Sequence, residues 1–272
     1  LDLKTWLSLL ISCGDTSRSA VGCDCITIIT EDNIDVLKHN GIKYIGRYLS
    51  KTINGTDYSL SNAEVRLLYK NGIRLFPIFQ GAANRVSYFT IEQAKLDASN
   101  AVKHLKRLNI QFGAIVYFAV DCDVMDYQIT NSILPYFKQL YFSFIGESLG
   151  QYRLGIYGAR NVCSRVCNAG YACSSFVSDM STGFSGNLGF SIPNNWAFDQ
   201  FATIKIYNSD KTKFIEIDKD GVSGRDIATS QEYFWTERDT DELVEIKFSC
   251  VLVNRAGTSL SVYESKEHID LP

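Results

Sequence analysis

The spacing of hydrophobic residues changes repeatedly between Val21 and Asp220. Short runs of β-branched and aromatic residues, typical of strands, alternate with longer stretches of helical periodicity, such as the one containing Leu60, Leu67 and Leu68. Strands are predicted at 21–25, 42–49, 73–80, 113–121, 152–158, 174–179, 195–201 and 212–218, with helices after the first five at 31–40, 60–71, 91–108, 129–148 and 160–168. This alternation indicates βαβ units around a parallel sheet.

The connections after the sixth and seventh predicted strands differ from the earlier ones. Segment 180–194 is rich in glycine, and only about ten residues separate the last two strands, whereas a crossover helix usually needs roughly a dozen residues or more. Five βα units followed by three helix-poor strands predict an α/β fold, an irregular eight-stranded barrel of the triosephosphate-isomerase (TIM) type. An open doubly wound sheet is the alternative, but no G-x-G-x-x-G motif follows the first strand.

The sequence changes character beyond the barrel pattern. Residues 230–245 are polar and acidic, and apolar residues between Ile246 and Val262 then suggest two short strands. We therefore expect a barrel over 19–229 and a C-terminal extension, with a short β element, over 230–272.

Composition excludes several function classes. The chain has 272 residues, of which 46% are hydrophobic, and its net charge of -3 provides no basic field for nucleic acid. The longest apolar stretch, around 114–120, is much shorter than the roughly 20 residues that span a bilayer. Three histidines, and eight cysteines without a C-x-x-C pair, disfavour histidine-dependent nucleophiles and zinc sites. We expect small buried thiols, no cofactor, and catalysis by carboxylates.

Carboxylates recur where the predicted strands end. Alternation along the fourth strand directs Val116, Phe118, Val120 and Cys122 toward the helices and Tyr117, Ala119, Asp121 and Asp123 inward. Further acids end or lie in other strands, namely Asp24, Asp179, Asp199, Asp218 and, just beyond the last strand, Asp220. Acids gathered at one rim repel one another, which raises the pKa of some of them. Helix capping is the structural alternative, as is an ion-pair network with Arg47, Arg160 and Arg225.

Aromatic and amide side chains accompany these acids. Tyr48, Tyr117, Tyr157 and Trp196 lie at or near predicted strand ends, and Gln80 ends the third strand. Aromatic faces stack on sugar rings, while amides and carboxylates bind hydroxyl groups. Acids, an amide and aromatics at one face therefore predict a carbohydrate pocket.

Several motifs together resemble a known family over about 20–226. They are Gly22-Cys23-Asp24, Gly46-Arg47-Tyr48-Leu49, Phe76-Pro77-Ile78-Phe79-Gln80, Tyr88-Phe89-Thr90, Ile115 to Asp123, Gly155-Ile156-Tyr157-Gly158 and Trp196-Ala197-Phe198-Asp199-Gln200. They resemble the bacterial glycoside-hydrolase-like barrel domain known as domain of unknown function 1906. That domain is similar to the glycoside hydrolase family 25 lysozymes.

The resemblance implies a peptidoglycan hydrolase of the muramidase type that cleaves a β-1,4 glycosidic bond. The acids of the lysozyme barrel fall on Asp24, on Asp121 with Asp123, and on Asp179. Asp123 stands where the lysozymes have a catalytic Glu, and we predict it to be the proton donor, with Asp121, Asp24 and Asp179 as further catalytic acids. The predicted substrate-binding residues are Tyr48, Gln80, Tyr117, Tyr157, Trp196, Asp199 and Asp218.

The resemblance also implies a partner and a location. Residues 1–18 resemble the end of a peptidoglycan-binding module and its linker, so we expect a monomer, secreted or associated with a bacterial cell wall, whose secretion signal lies outside this chain. Two alternatives stay open. A barrel without turnover would be a carbohydrate-binding module, and the acids with Mg²⁺ or Ca²⁺ would instead hydrolyse phosphodiesters.

Overall fold

A computed structural model describes residues 15–231, together with the backbone of 248–253 and 259–265. The chain divides into two compact units, Leu1–Tyr233 and Phe234–Pro272. The described part of the first unit contains a closed eight-stranded barrel surrounded by helices.

The strands follow the predicted order. They are β1 (Gly22–Asp24), β2 (Tyr44–Tyr48), β3 (Thr52–Ile53), β4 (Thr56–Asp57), β5 (Arg74–Phe79), β6 (Ile115–Ala119), β7 (Arg153–Gly158), β8 (Ser174–Val177), β9 (Trp196–Tyr207) and β10 (Phe214–Val222). The barrel closes in the order β1, β2, β5, β6, β7, β8, β9, β10, while β3 and β4 form a small separate hairpin. The TIM-type barrel predicted from the sequence is confirmed.

Helices follow the first five barrel strands, also as predicted. They are α1 (Glu31–His39), α2 (Asn62–Lys70), α3 (Ile91–Arg107), α4 (Leu134–Glu147) and α5 (Arg160–Asn168). A helical turn at Asp126–Gln128 and a π-helical turn at Ile129–Ile133 lead into α4. Ser61 and Thr90 cap α2 and α3, because their hydroxyls accept hydrogen bonds from the backbone N–H groups of Glu64 and Gln93.

The last strand runs against the others. β10 is antiparallel to both of its neighbours, β9 and β1, because the short connection 208–213 makes a hairpin rather than a crossover. The prediction that the final strand ends at Asp218, with Asp220 just beyond the rim, is therefore wrong. Asp218 lies opposite Asp24, and Asp220 lies opposite Gly22, deeper inside the barrel.

Hydrophobic residues form two layers. Inside the barrel, Phe76 stacks on Phe198 with ring centroids 3.9 Å apart, and Phe176 and Tyr117 pack edge-on against this pair. Between the strands and the helices lies a larger core that includes Val116, Phe118 and Val120, on the side that their alternation predicted. The inner aromatic layer fills the barrel beneath its C-terminal rim, so that a pocket can form only above it.

A buried ion pair fixes the loop after β1. Arg47 Nε donates to Glu64 Oε1 at 2.6 Å, and Arg47 Nη1 donates to the carbonyl oxygens of Cys25 and Ile26 at 2.8 and 3.2 Å. Arg47 therefore anchors the β1–α1 loop to α2. The ion-pair alternative expected Arg47 to neutralise acids of the barrel, but Arg47 pairs with Glu64 instead.

We predict that Arg47→Met lowers the free energy of unfolding by about 3–5 kcal/mol, because it leaves the buried Glu64 carboxylate without its partner. Chemical denaturation with circular dichroism measures the change. The control is Lys213→Met, which breaks an exposed pair with Asp32 and should change stability by less than about 0.5 kcal/mol. Equal effects of the two substitutions would contradict this account of Arg47.

The described part of the second unit is an antiparallel pair of strands, β11 (Phe248–Val253) and β12 (Ser259–Ser265). Residues 1–14 and most of the acidic segment 230–245 lie outside the described residues, so the proposed domain boundaries stay predictions. The six described cysteines are free thiols. None of the helices in the described part of the chain has the length and apolar character needed to cross a membrane.

Candidate active site

A pocket opens at the C-terminal ends of the parallel strands. Its lining consists of Asp24, Tyr48, Ile78, Gln80, Ala119, Asp121, Tyr157 and Phe176. Five of the predicted site residues thus come together here, namely Asp24, Asp121, Tyr48, Gln80 and Tyr157. The pocket thus brings two carboxyl groups, an amide and aromatic side chains around one opening.

Asp24 is the deeper of the two acids that line the pocket. Its side chain is buried, and Oδ2 accepts a hydrogen bond of 2.6 Å from Gln200 Nε2. The other end of the same amide, Gln200 Oε1, accepts from the Tyr157 hydroxyl at 2.8 Å. Burial, and then the nearby charge of Asp218, raise the pKa of Asp24 well above its usual value. This position therefore favours a carboxylic acid that still holds its proton.

Asp121 is the second acid of the lining and is half-buried. Its Oδ2 accepts a hydrogen bond of 2.8 Å from Gln80 Nε2, and Gln80 Oε1 accepts one of 2.8 Å from Lys51 Nζ. Each acid of the pocket is thus oriented by the amide of a glutamine. A buried acid beside a more accessible carboxyl is the kind of contrast that separates a proton donor from its partner in glycoside hydrolysis.

Two tyrosines and a lysine complete the polar lining and its edge. Burial, followed by the charges of the neighbouring acids, raises the pKa of Tyr48 and Tyr157, so both stay neutral phenols. Lys51 lies over the ring of Tyr48, with Nζ 5.0 Å from the ring centroid. Burial lowers the pKa of Lys51, and the charge of Asp121 acts in the opposite direction. The pocket therefore combines two acids, aromatic surface and one cationic edge.

Gly46 creates the space that Asp24 occupies. A Cβ atom at this position would lie 2.4 Å from Phe76 Cε2 and 2.8 Å from Asp24 Cβ. Both contacts are far closer than atoms of folded proteins pack. Glycine thus allows the inner aromatic layer and the buried acid to lie side by side.

Two of the predicted catalytic acids lie outside this lining. Asp123 is exposed, and its carboxylate accepts hydrogen bonds from the backbone N–H and hydroxyl of Ser185 at 2.8 and 3.0 Å. Asp123 thereby links the segment after β6 to the β8–β9 connection. Asp179 is fully buried, and its carboxylate pairs with the guanidinium of Arg160, as the ion-pair alternative expected.

Tyr117 and Trp196 lie toward the opposite end of the barrel, where β8 and β9 begin, so the structure does not place them in the pocket. Tyr117 points inward as predicted, but its hydroxyl donates to Asp226 Oδ2 at 2.7 Å and lies 3.0 Å from Ser174 Oγ. Trp196 is the first residue of β9, and Arg225 lies over its ring. An inward direction alone does not determine which end of the barrel a long side chain reaches.

The two remaining predicted binding residues are acids beside the pocket. Asp199 points away from the interior, because it alternates with Gln200 along β9, and it pairs with Arg18 at 3.2 Å. Asp218 lies opposite Asp24 and accepts hydrogen bonds from Thr203 Oγ1 and, at 3.3 Å, from Gln200 Nε2. Asp218 therefore influences the charge of the pocket without lining it.

Sequence reasoning missed Gln200, Lys51 and the depth of Asp220. Gln200 belongs to a motif in which Asp199 attracted attention, and only the alternation from Phe198, an interior residue, identifies Gln200 as inward. Lys51 follows β2 in a loop, where strand alternation predicts nothing. Within the described residues, no three His, Cys, Asp or Glu side chains are arranged to hold a metal ion.

Comparisons with known proteins agree with this barrel. The model of the Rv2525c-like, glycoside hydrolase-like domain matches residues 35–222. Two uncharacterized proteins of Bacillus subtilis strain 168 are similar in sequence: FadG is 43% identical over 229 residues, 83% of this chain, and YbfG is 43% identical over 237 residues, 84% of this chain. The chain spans only 39% and 32% of the lengths of these relatives.

Among solved structures, the Mycobacterium tuberculosis Tat-secreted protein Rv2525c in complex with HEPES has the same fold. Its TM-score is 0.61 at 13% sequence identity, and the match covers 79% of this chain and 100% of that one. A structure of the same mycobacterial protein with L-tartrate also gives a TM-score of 0.61, at 15% identity. The family match covers most of the barrel, so this chain belongs to the Rv2525c-like, glycoside hydrolase-like domain family.

Proposed function

We propose that this barrel hydrolyses a glycosidic bond of a cell-wall glycan, with Asp24 as the proton donor and Asp121 as the second carboxylate. The observation that carries the proposal is the contrast between these two acids in one pocket. Asp24 is buried, with a raised pKa, whereas Asp121 is more accessible, and each accepts a hydrogen bond from a glutamine. The family membership supports the same class of reaction.

The proposed reaction uses both acids. Asp24 gives its proton to the glycosidic oxygen as the bond to the anomeric carbon breaks, and positive charge develops on the sugar ring. Asp121 stabilises that charge; in a retaining reaction it attacks the anomeric carbon, and in an inverting one it removes a proton from the attacking water. Gln80 holds Asp121 in place by donating to its Oδ2.

This assignment changes the role predicted for Asp123. The resemblance to lysozymes made Asp123 the proton donor, but its carboxylate faces Ser185 and lies outside the pocket lining. Asp24 takes the role because it is the acid of the lining that burial keeps protonated. Asp179, held by Arg160, becomes a structural residue in this proposal.

Peptidoglycan is the proposed substrate, and Lys51 is the residue that selects it. N-acetylmuramic acid carries a carboxylate that N-acetylglucosamine lacks. Lys51 is half-buried at the edge of the pocket, and its ammonium group makes one hydrogen bond, to Gln80, among the contacts described. Its remaining N–H donors can receive that carboxylate.

We predict that Lys51→Met raises KM for peptidoglycan about tenfold, the effect of losing a charged hydrogen bond of roughly 1.5 kcal/mol. KM for a neutral β-1,4-linked N-acetylglucosamine oligosaccharide should stay within about threefold, because that substrate offers no carboxylate to the ammonium group. Initial rates of reducing-end release give both constants. Equal increases for the two substrates would contradict a role of Lys51 in selecting an anionic sugar.

The alternative function is a carbohydrate-binding barrel without turnover. The position of Asp123 favours it, because the residue that corresponds to the lysozyme Glu faces a loop rather than the pocket. Incubation of the protein with purified peptidoglycan separates the two functions. Reducing ends that accumulate with time support hydrolysis. Protein that pellets with the wall without new reducing ends supports the binding module. A protein that neither pellets with the wall nor releases reducing ends would contradict both functions.

A cell-wall location completes the proposal. The mycobacterial neighbour is described as Tat-secreted, which agrees with a protein that acts outside the cytoplasm. Fractionation of a producing bacterium would test the location: the proposal expects this protein in the wall or medium fraction, and recovery only with the cytoplasm would contradict it.

A further inference from the structure

Asp220 is a buried acid that the proposed reaction does not use. It is 0% exposed and lies inside the barrel opposite Gly22, one step deeper than Asp24. A Cβ atom on Gly22 would lie 2.7 Å from Val222 Cγ2 and 3.3 Å from Asp220 Cβ. Glycine at this position therefore leaves the space in which the Asp220 side chain is enclosed against β1.

The surroundings of Asp220 supply no donor for a charged carboxylate. Neither of its oxygens accepts a hydrogen bond from an N–H or O–H group of the described residues, and no ion pair involves it there. Asp220 and Asp24 lie on the same face of neighbouring strands, because Asp220 pairs with Gly22, two residues before Asp24. Burial, followed by the charge of Asp24, raises the pKa of Asp220 well above its usual value. Two ionised carboxylates repel one another and only accept hydrogen bonds, so the pair does not carry two negative charges.

Once Asp24 has given up its proton, the groups around the pair favour Asp220 as the acid that stays protonated. Gln200 Nε2 donates a hydrogen bond to Asp24 and stabilises its ionised form, whereas Asp220 has no such donor among the described residues. A buried carboxylate without donors is highly unfavourable. The titratable groups that act on the pair are Cys23 on β1, Tyr48 on β2, Asp121 beyond β6, Tyr157 on β7, Asp199 on β9 and Asp218 on β10. The carboxylates of Asp121, Asp199 and Asp218 disfavour a second negative charge in the pair, while Cys23, Tyr48 and Tyr157 stay neutral.

We propose that Asp220 is a positioning residue that keeps its proton and donates it in a hydrogen bond to Asp24, stabilising the carboxylate that Asp24 becomes during the reaction. This inference deepens the proposed function and rests on it. When Asp24 transfers its proton to the glycosidic oxygen, its O–H bond breaks and its oxygen takes the negative charge. Asp220 O–H and Gln200 N–H then both donate to that carboxylate.

Two substitutions test the role through their opposite chemistry. Asp220→Asn keeps a neutral donor toward Asp24, whereas Asp220→Ala removes it. We expect Asp220→Asn to retain kcat within about threefold, and Asp220→Ala to lower kcat by about ten- to a hundredfold with little change in KM, the range of a lost hydrogen bond to a charged group. A kcat lowered equally in two well-folded variants would overturn the proposal.

The pH dependence of kcat is a second test, because a purely structural role of Asp220 would leave it unchanged. If Asp220 is neutral, its loss removes a donor from the Asp24 carboxylate, so the alkaline decline of kcat moves to higher pH in Asp220→Ala and stays in place in Asp220→Asn. If Asp220 were instead ionised, both variants would remove a negative charge and move the decline to lower pH. That second outcome would overturn the proposal.

A measurement independent of hydrolysis separates this inference from the proposed function. Carbon-13 NMR of the aspartate side chains in the full chain at pH 7, with signals assigned through Asp24→Asn and Asp220→Asn, reports whether each carboxyl is protonated. We expect a protonated signal for Asp220 even if no glycan is cleaved. An ionised signal for Asp220 would overturn the inference while leaving the hydrolase proposal standing.

Discussion

Asp24→Asn is expected to lower kcat on peptidoglycan by about 10²- to 10⁴-fold, the range of a lost general acid. The amide that this substitution introduces still accepts the hydrogen bond that Gln200 donates, but it holds no transferable proton at the position of the glycosidic oxygen. KM should change little, because the rest of the pocket is unchanged. Initial rates of reducing-end release provide both constants, and Asp123→Asn, at the exposed acid outside the lining, is the matched control.

The same substitution has a predictable effect on stability. Because burial raises the pKa of Asp24, the folded protein binds this proton more tightly than the unfolded chain does. The stability that the proton contributes is full below the unfolded pKa of about 3.9 and is lost as pH rises toward the folded value. Asp24→Asn should therefore unfold at no lower temperature than the wild type at pH 7. Lost activity in a variant that is clearly less stable would not support a catalytic role.

The pH profile of the wild type follows from the same shift. A donor must be protonated, so kcat should fall on the alkaline side as pH passes the raised pKa of Asp24. Asp123→Asn should leave this decline unchanged. An alkaline decline that shifts in Asp123→Asn would restore the donor role that the sequence predicted for Asp123.

Asp121→Asn is expected to lower kcat by about 10²-fold or more, because the charge that develops on the sugar ring loses its carboxylate partner. Gln80 can still make a hydrogen bond to the amide that replaces this carboxylate, so the pocket should keep its shape. Added formate supplies a small carboxylate to Asp121→Gly and should restore part of the rate. The parallel variant Asp123→Gly should neither lose activity to the same degree nor respond to formate.

Wild-type rates in Asp121→Asn would contradict the assignment of the second carboxylate. Loss of activity without rescue of Asp121→Gly by formate would indicate a structural role for Asp121 instead. Both variants need the circular dichroism spectrum of the wild type for the comparison to be valid.

The sequence predicted the barrel and five of the residues that line the pocket, and individual residues show the physical reasons. A parallel strand of a barrel carries its functional side chain at the C-terminal end, and this rule selected Asp24 at the end of β1 and Gln80 just after β5. Alternation along β6 correctly assigned Val116 and Phe118 to the helical side. These rules depend only on neighbouring residues of one strand, which is why a single sequence sufficed.

These rules fail where the orientation of a side chain depends on the path of the chain or on contacts between distant residues. Strand β6 ends at Ala119, so alternation no longer governs Asp123, and Ser185 from a distant loop determines its orientation. The direction of β10 depends on a hairpin whose closure alternation does not reveal, and it places Asp220 beneath the pocket rather than beyond the rim. Tyr117 shows the same limit, since its partner Asp226 lies 109 residues away.

The most direct test of the central claim is a crystal structure of Asp24→Asn with a β-1,4-linked N-acetylglucosamine oligosaccharide or a muropeptide. The account predicts a sugar ring against Tyr48 and Tyr157, with a glycosidic oxygen within about 2.6–3.2 Å of the substituted side chain, the reach of a proton donor, and the anomeric carbon facing Asp121. A glycan bound at Asp123 or elsewhere on the surface, with the Asp24–Asp121 pocket empty, would contradict it.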